Sequence, residues 1–393
     1  MKDVIHVSCL KQPAAIIDVD HQYNQGRFEW LPAFKNAYPE LTEAFLPENG
    51  HRCSYFQVDK ALPPFLMDYV PGAFPERLLS EFLKQNSPQI IRRSPIAWLS
   101  LTGNCGMGGL EFSPFGLPEL QNQESIDLDK MVKWLKQLEQ PNHTPILVQD
   151  MRHLLRSSLF TRGKSPKSLV DINAFTGEVL TGQGLGNESF SKWLIKWSGL
   201  TVHGSELLDL EYELFVAAQL CGISCTPYRK IKNNHLNHIL IKRFDIQHNT
   251  NIITISYCNW MQEDGLHWDG VFRRMRILKM PHKDMVEMFK RMAFMTCFHN
   301  GCINAKRICF TFDQTSGWRL APAFNLKACS SQEAYIGHLD QKSTPIKLEL
   351  LTPFGKYIGI RNAKSIIQEI AAVKQSFGKR VPHTIDQIQN QRP

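Results

Sequence analysis

The sequence predicts an α+β protein in which strands and helices lie in different parts of the chain. Residues 1–60 and 150–256 contain short apolar segments separated by turns, a pattern typical of strands. Residues 257–293 and 363–377 carry apolar residues at helical spacing instead. Because strand-rich segments are separated from helical ones, we expect the α+β class.

Composition sets broad limits on the architecture. A chain of 393 residues with 43% hydrophobic and 21% charged residues is an ordinary globular protein of two or three compact units. No apolar run reaches the ~18 residues that span a bilayer. The first twenty residues lack the apolar core of a signal peptide. We therefore expect a cytoplasmic protein without a membrane partner.

The cysteine, histidine and charge patterns do not indicate a disulfide-rich, metal-binding or strongly basic protein. The ten cysteines include no C-x-x-C pair and the fourteen histidines no H-E-x-x-H, so we expect free thiols and no structural metal. The net charge of +8 is modest, with small basic clusters at 273–276 and 374–380. We interpret these clusters as solvated faces, with contact to nucleic acid or an acidic partner as the alternative.

The first third of the chain predicts a small subdomain. Residues 68–83 contain a Pro-Gly break followed by a helix, and residues 96–114 an apolar run, a glycine-rich turn (GNCGMGG) and a strand. The turn matches neither G-x-G-x-x-G nor a Walker A loop, so a tight turn is the reading from the residues alone. Residues 126–138 predict an amphipathic helix, and residues 140–145 a linker.

A polar loop at 157–170 precedes an apolar strand and is a candidate phosphate site. It contains Gly163, Lys164, Ser165 and Lys167, and backbone N–H groups and lysines in such loops cradle phosphates. The alternative is a solvated basic loop.

Two further charged residues lie in apolar surroundings downstream. Lys196 ends the strand KWLIKW, and Glu211 begins the helix EYELFVAAQLCGI. In protein kinases a lysine and a glutamate in such positions pair beside the nucleotide. The alternatives are an edge lysine with its amine in water and a surface carboxylate, and Glu213 is a second candidate for the glutamate.

The segment 292–312 joins an apolar helix to a short strand through a polar loop, a usual place for a kinase catalytic loop. It resembles the HipA family of bacterial serine/threonine kinases, whose loop reads approximately N-x-D-x-H-x-K-N-F. Asn300, Ala305 and Lys306 fit that pattern. The segment GWRLAPAFNL (317–326) likewise resembles the family's W-R-L-A-P-A-Y-D-L.

The resemblance covers residues 40–380 and implies a two-lobed, protein-kinase-like fold of HipA type. It implies a HipA-type N-terminal α/β subdomain (1–140), a small nucleotide lobe (150–256), a mainly helical large lobe (257–381) and a flexible tail (382–393). It also implies nucleotide-binding residues, which would be Gly163, Lys164, Ser165, Lys167, Lys196, Glu211, Lys242 and Phe244, the last two in a hinge strand ending HILIKRFD. ATP is the implied cofactor.

The catalytic positions depart from the family pattern. Cys302 replaces the catalytic aspartate beside the retained Lys306, Arg307 replaces the metal-binding asparagine, and Asn325 replaces the metal-binding aspartate. Mg²⁺ needs hard oxygen ligands, and a thiol with a pKa near 8.5 is a poor proton acceptor at neutral pH. These substitutions disfavour Mg²⁺ and predict a pseudokinase.

Such a protein would act by binding a nucleotide or a partner protein, for example an antitoxin that itself binds DNA. One alternative is an active serine/threonine kinase with a rearranged site that uses Asp313 or another carboxylate. A nucleic-acid-associated regulator is a second alternative, and it depends on the net charge alone.

Overall fold

The fold is known from a computed structural model that describes most of the chain. The described residues are 2–45, 53–58, 62–86, 95–114, 120, 122–140, 144–163, 165–182, 188–200, 204–233, 235–248, 250–261, 266–299, 307–326, 334–335 and 348–377. The chain divides into two compact units. The first comprises residues 1–200 and 231–255, and the second comprises residues 201–230 and 256–393.

The strands are mostly short. They are β1 Lys2–Cys9, β2 Gln12–Asp20, β3 Gln25–Trp30, β4 Cys53–Gln57, β5 Leu110–Ser113, β6 Lys167–Asn173, β7 Val179–Thr181, β8 Phe190–Lys196, β9 Tyr228–Asn233, β10 Leu236–Lys242, β11 Ile246–Gln247, β12 Thr250–Asn251, β13 Ile253–Ser256, β14 Leu266–His267, β15 Cys309–Asp313, β16 Gly317–Leu320 and β17 Ala334–Tyr335.

The longest helices lie toward the C-terminus. They are α1 Pro32–Ala37, α2 Pro39–Phe45, α3 Ala73–Asn86, α4 Pro95–Thr102, α5 Leu128–Glu139, α6 Val148–Ser158, α7 Gly204–Leu220, α8 Tyr257–Met261, α9 Trp268–Ile277, α10 His282–His299, α11 Leu348–Tyr357 and α12 Ala363–Phe377, with a 3₁₀ helix at Pro64–Tyr69.

The first unit begins with an antiparallel sheet of order β4-β3-β2-β1-β5. Alternation buries one face, where Ile5, Ile17 and Phe28 are neighbours in register and at most 4% exposed. Aromatic rings close this core, since Phe28 packs edge-on against Trp30 at 4.8 Å and against Phe65 at 5.1 Å. The N-terminal segment is therefore a packed sheet with its own core.

A second sheet, with the order β7-β6-β8-β10-β9, carries three of the eight predicted nucleotide residues, namely Lys167, Lys196 and Lys242. Its core is shared with α3, α5 and α6. The predicted amphipathic helix is α5, which starts where the Asp127 carboxylate accepts the N–H groups of Asp129 and Lys130. Helix α5 buries Met131 and Leu135 completely, which attaches it to this core.

The second unit is mainly helical and is built around α10. Met288, Phe289, Met292 and Phe294 of this helix are fully buried, and α11 and α12 pack against it. The amphipathic helix predicted at 363–377 has the bounds of α12. Strands β15 and β16 form a hairpin in this unit, with Phe310 paired to Leu320.

Several expectations can be compared with the described residues. Seven cysteines there are free, as predicted, and no helix in the described part is long and apolar enough to cross a membrane. The basic cluster at 273–276 is not simply a solvated face, because the Arg274 guanidinium lies 4.3 Å from the Trp260 ring and Arg276 bonds the Ile358 carbonyl. The tail from residue 382 and most of the cluster at 374–380 lie outside the described residues.

Candidate functional site

Two of the predicted nucleotide lysines are cross-strand neighbours. Strands β6 and β8 pair so that Lys167 lies directly opposite Lys196. Side chains of directly opposed residues project from the same face of a sheet, about 5 Å apart at Cβ. Like charges in this position repel each other, so an anion beside both would be stabilised. The sheet therefore brings together the two lysines that the sequence predicted separately.

Lys192 lies on the same face of β8 as Lys196 but has a cross-strand neighbour of opposite charge. Its cross-strand neighbour is Asp171, and the Lys192 ammonium forms an ion pair with that carboxylate. Gln123 donates a second hydrogen bond to Asp171 at 2.7 Å. Burial raises the pKa of Asp171 despite these bonds. Lys192 thus balances a buried carboxylate, whereas the residue opposite Lys196 is another cation.

The candidate phosphate loop between α6 and β6 is held by α3 of the same unit. The Phe74 N–H donates to the Gly163 carbonyl at 3.4 Å, and the Gly72 N–H donates to the Thr161 carbonyl at 3.3 Å. Gly163 has φ +89°, and a Cβ there would lie 2.9 Å from the Lys167 amine. Glycine is therefore required at this turn.

The loop residues differ in how accessible they are. The Lys167 amine donates to the Arg162 carbonyl, so it points into the loop. Gly163 and Ser165 are exposed to solvent, whereas Lys196 is only 4% exposed. Lys164 lies outside the described residues.

The predicted hinge contains a buried ion pair that the sequence reading did not identify. Arg243 binds the Asp245 carboxylate through Nε at 3.1 Å and Nη2 at 2.7 Å. The Gly108 N–H donates to the same carboxylate at 3.0 Å, and Arg243 donates to the Gly106 carbonyl at 3.4 Å. The glycine-rich turn GNCGMGG is thereby fastened to the end of β10.

Burial alone would raise the pKa of Asp245, but the charge of Arg243, its hydrogen bonds and the Gly108 N–H hold this pKa below its usual value. The two predicted hinge residues, Lys242 and Phe244, alternate with this pair along the chain, and β10 ends at Lys242. Lys242 is exposed and Phe244 is half-buried. The motif Lys-Arg-Phe-Asp contained the signal, since it places two opposite charges two residues apart directly after an apolar strand.

In the second unit, a tyrosine connects the predicted glutamate to the degenerate metal position. The Asn325 N–H donates to the Tyr228 hydroxyl at 2.7 Å, and that hydroxyl donates to Glu211 at 3.4 Å. The Tyr228 ring stacks on Phe215 of α7 with centroids 3.9 Å apart. Burial and the Glu211 charge raise the pKa of Tyr228 well above its usual value, so the hydroxyl stays protonated.

The backbone around Asn325 is fixed by further contacts within this unit. Thr226 donates its N–H to the Ala323 carbonyl at 3.0 Å, and Ala323 donates to the Ser224 carbonyl at 2.8 Å. Asn325 has φ +55°, a left-handed conformation that asparagine tolerates better than most residues. The segment therefore has a defined conformation that Tyr228 helps to hold.

A small, mainly apolar cavity lies beside this segment. Its walls are Ile223, Met288, Arg291, Phe294, Met295, Arg307, Ile308, Ala323, Phe324 and Leu326. Two arginines and no carboxylate are among these residues. Arg291 bonds Glu287 at 2.9 Å and the Ser224 carbonyl at 3.3 Å, so part of its charge is balanced internally.

The described groups around Asn325 and Arg307 are poorly suited to bind a divalent cation. Asn325 offers a neutral amide, and Arg307 adds a positive charge where the family pattern has an acceptor. Within the described part of the chain, no three His, Cys, Asp or Glu residues form a metal-binding group. Asp313 accepts the N–H groups of Thr315 and Ser316, both at 2.9 Å, and so caps the β15–β16 turn. Cys302 and Lys306 lie outside the described residues.

The predicted site residues are therefore distributed over the two units. Gly163, Ser165, Lys167, Lys196, Lys242 and Phe244 belong to the first, and Glu211, Arg307 and Asn325 to the second. Within the first unit, Lys167 and Lys196 are neighbours, and within the second, Glu211 and Asn325 are joined through Tyr228. That all of them share one cleft stays a prediction.

Comparison with known proteins identifies the family to which this chain belongs. Residues 159–377, more than half of the chain, match the family described as the HipA-like C-terminal domain. The chain belongs to this family, as its motifs predicted. Its fold is similar to that of HipA from Shewanella oneidensis MR-1, solved in a complex of the toxin–antitoxin proteins HipA and HipB with operator DNA.

That similarity extends over nearly the whole chain. The TM-score is 0.62 at 14% sequence identity, covering 99% of this chain and 91% of the other. At this identity the likeness concerns the fold, and it confirms the predicted α+β, HipA-type architecture. No curated protein matches the sequence significantly.

Proposed function

We propose that this HipA-like protein is a pseudokinase that binds the phosphates of a nucleotide without Mg²⁺-dependent phosphoryl transfer. The observation that carries the proposal is the donor chemistry near Asn325. Asn325 has a neutral amide where the family pattern has a metal-binding aspartate, and the lining of the cavity beside it includes Arg291 and Arg307 but no carboxylate. Phosphoryl transfer depends on metal ions that neutralise phosphate charge, so loss of their ligands removes the main source of catalysis.

The retained lysines support binding of the nucleotide itself. Lys167 and Lys196 are directly opposed on one face of a sheet, and Gly163 gives the loop before them a left-handed turn. Asp171 balances Lys192, whereas the cross-strand pair Lys167 and Lys196 presents two positive charges on one face of the sheet. ATP is the ligand that we propose.

Isothermal calorimetry and a transfer assay together test the proposal. We expect the full chain to bind ATP as well in EDTA as in Mg²⁺, and radiolabelled ATP to leave no label above background on the protein. Lys196→Ala should weaken ATP binding, whereas Lys130→Ala, on the exposed face of α5, should not. Stoichiometric autophosphorylation that disappears in Lys196→Ala would show an active kinase instead.

We also propose that the protein works through a protein partner, as HipA does with HipB in the Shewanella complex. An antitoxin-like partner would then be the component that contacts DNA. The internal contact of Arg274 supports this indirect route, because its burial against Trp260 removes one cation from the cluster that suggested direct nucleic-acid binding. Co-purification with a protein encoded beside it, followed by a DNA-binding assay with and without that protein, tests this.

A further inference from the structure

The second unit has an exposed surface that combines positive charge with apolar side chains. Helices α9 and α11 meet here, since the Phe272 and Phe354 rings lie 5.7 Å apart and Arg276 Nη2 donates to the Ile358 carbonyl at 2.9 Å. We call the exposed residues around this contact the α9–α11 patch, and they are Arg273, Arg276, Ile277, Lys356, Tyr357 and Arg361.

The two apolar members of the patch are largely exposed to solvent. Ile277 is 60% exposed, and Tyr357 is 66% exposed although its ring contacts Phe354 at 6.2 Å. Single exposed apolar residues are common on protein surfaces. Here two of them occur at the ends of contacting helices, and each directly follows a cation in the chain, which is a composition typical of a recognition surface.

The charge of the patch is unbalanced locally. Neither residues 270–283 nor residues 350–368 contain an aspartate or a glutamate. The nearest acidic residue on α11, Glu349, lies more than two helical turns before Tyr357. A ligand on this surface would therefore meet four positive groups without a competing carboxylate from these two segments.

A purely structural explanation accounts for part of this composition. Helices α9 and α11 both end at the patch, and cations near a helix C-terminus interact favourably with its dipole. This explains Arg276 and Lys356. It does not explain why Ile277 and Tyr357 are left in solvent, nor why Arg361 follows the end of α11.

We propose that the α9–α11 patch binds an acidic peptide segment of a partner protein that carries one or two apolar anchor residues. The cations would pair with its carboxylates, and the anchors would cover Ile277 and Tyr357. Nucleic acid is the less suitable occupant, because phosphates would use the cations but leave the two apolar side chains uncovered. None of these residues lines the cavity beside Asn325, so this surface is separate from the proposed nucleotide function.

Selection from a display library of short random peptides tests this proposal with the full chain. We expect enriched peptides to combine several Asp or Glu residues with a Leu or an aromatic residue. Arg273→Glu, Lys356→Glu and Arg361→Glu together should weaken their binding about ten-fold or more, or at least 1.4 kcal/mol. The matched control is Lys130→Glu, Lys133→Glu and Lys136→Glu on the exposed face of α5, which should leave the affinity unchanged.

A second variant separates peptide recognition from general anion binding. Ile277→Ser with Tyr357→Ser should weaken the selected peptides several-fold and leave binding of polyglutamate unchanged. Thermal melts confirm that each variant is folded. The proposal is overturned if no acidic peptide is enriched, if both charge-reversal variants weaken binding equally, or if mixed-sequence duplex DNA binds at the patch while the serine variant has no effect on the peptides.

Discussion

Removing one partner of the buried ion pair between Arg243 and Asp245 should strongly destabilise the first unit. Both residues are fully buried or nearly so, and the carboxylate also holds the Gly108 N–H. Asp245→Asn would keep the shape and one acceptor but remove the charge that balances Arg243. Breaking a buried pair in this way typically costs about 3–5 kcal/mol. We expect the lower end, about 3 kcal/mol, because the amide can still accept a hydrogen bond.

The loss of stability in Asp245→Asn should be largest at neutral pH and smaller in acid. The folded-state pKa of Asp245 lies below its unfolded value, so the pair stabilises the protein above the unfolded pKa of about 4. That contribution disappears as the pH falls through the folded pKa. Since asparagine does not titrate, the difference between wild type and Asp245→Asn should be full at pH 7 and shrink steadily below pH ~4.

Thermal unfolding followed by tryptophan fluorescence measures the effect. A loss of about 3 kcal/mol in a unit of this size corresponds to a shift in Tm of roughly 6–12 °C. The matched control is Asp18→Asn at the exposed Arg27–Asp18 pair, 3.0 Å apart, which solvent screens and which should shift Tm far less. Equal shifts in the two variants, or an Asp245→Asn deficit that persists undiminished at low pH, would refute this reasoning.

Three further outcomes are expected. Lys192→Met leaves Asp171 buried without its cation, so urea unfolding should show a free energy of unfolding lower by about 3–5 kcal/mol. This loss should be larger at pH 8 than at pH 5, because the unpaired carboxylate is more fully charged at the higher pH. An equal loss at both pH values would contradict this prediction. Tyr228→Phe keeps the stack on Phe215 but removes the acceptor of the Asn325 N–H. The free energy of unfolding should therefore fall by about 1–3 kcal/mol, and amide hydrogen exchange at 323–326 should accelerate. Unchanged exchange would show that the Tyr228 hydroxyl does not hold this segment. The triple reversion Cys302→Asp, Arg307→Asn and Asn325→Asp should strengthen Mg²⁺-ATP binding by more than ~100-fold in calorimetry. The reason is that two unit charges ~4 Å apart interact by about 4 kcal/mol at an effective dielectric of 20. If wild type binds Mg²⁺-ATP as tightly as the revertant, the electrostatic account is wrong.

Local sequence patterns were sufficient to predict many elements of the fold. The helices at α5 and α12 followed from apolar residues at helical spacing, and α5 also has an aspartate cap. The motifs at 292–312 and 317–326 were sufficient to identify the HipA-like family, which the family match over residues 159–377 confirms. These features depend on residues close together in the chain, so they can be read without knowledge of the tertiary structure.

Contacts between distant segments required the structure. The sequence named Lys167 and Lys196 separately, but only the β6–β8 register makes them neighbours and makes Asp171 the partner of Lys192. Similarly, GNCGMGG was predicted as a tight turn, but its hydrogen bond to Asp245 could not be predicted, because Gly108 and Asp245 are 137 positions apart in the chain. Spacing along the chain determines which face of a strand or helix a side chain occupies, whereas register and packing determine which distant groups it meets.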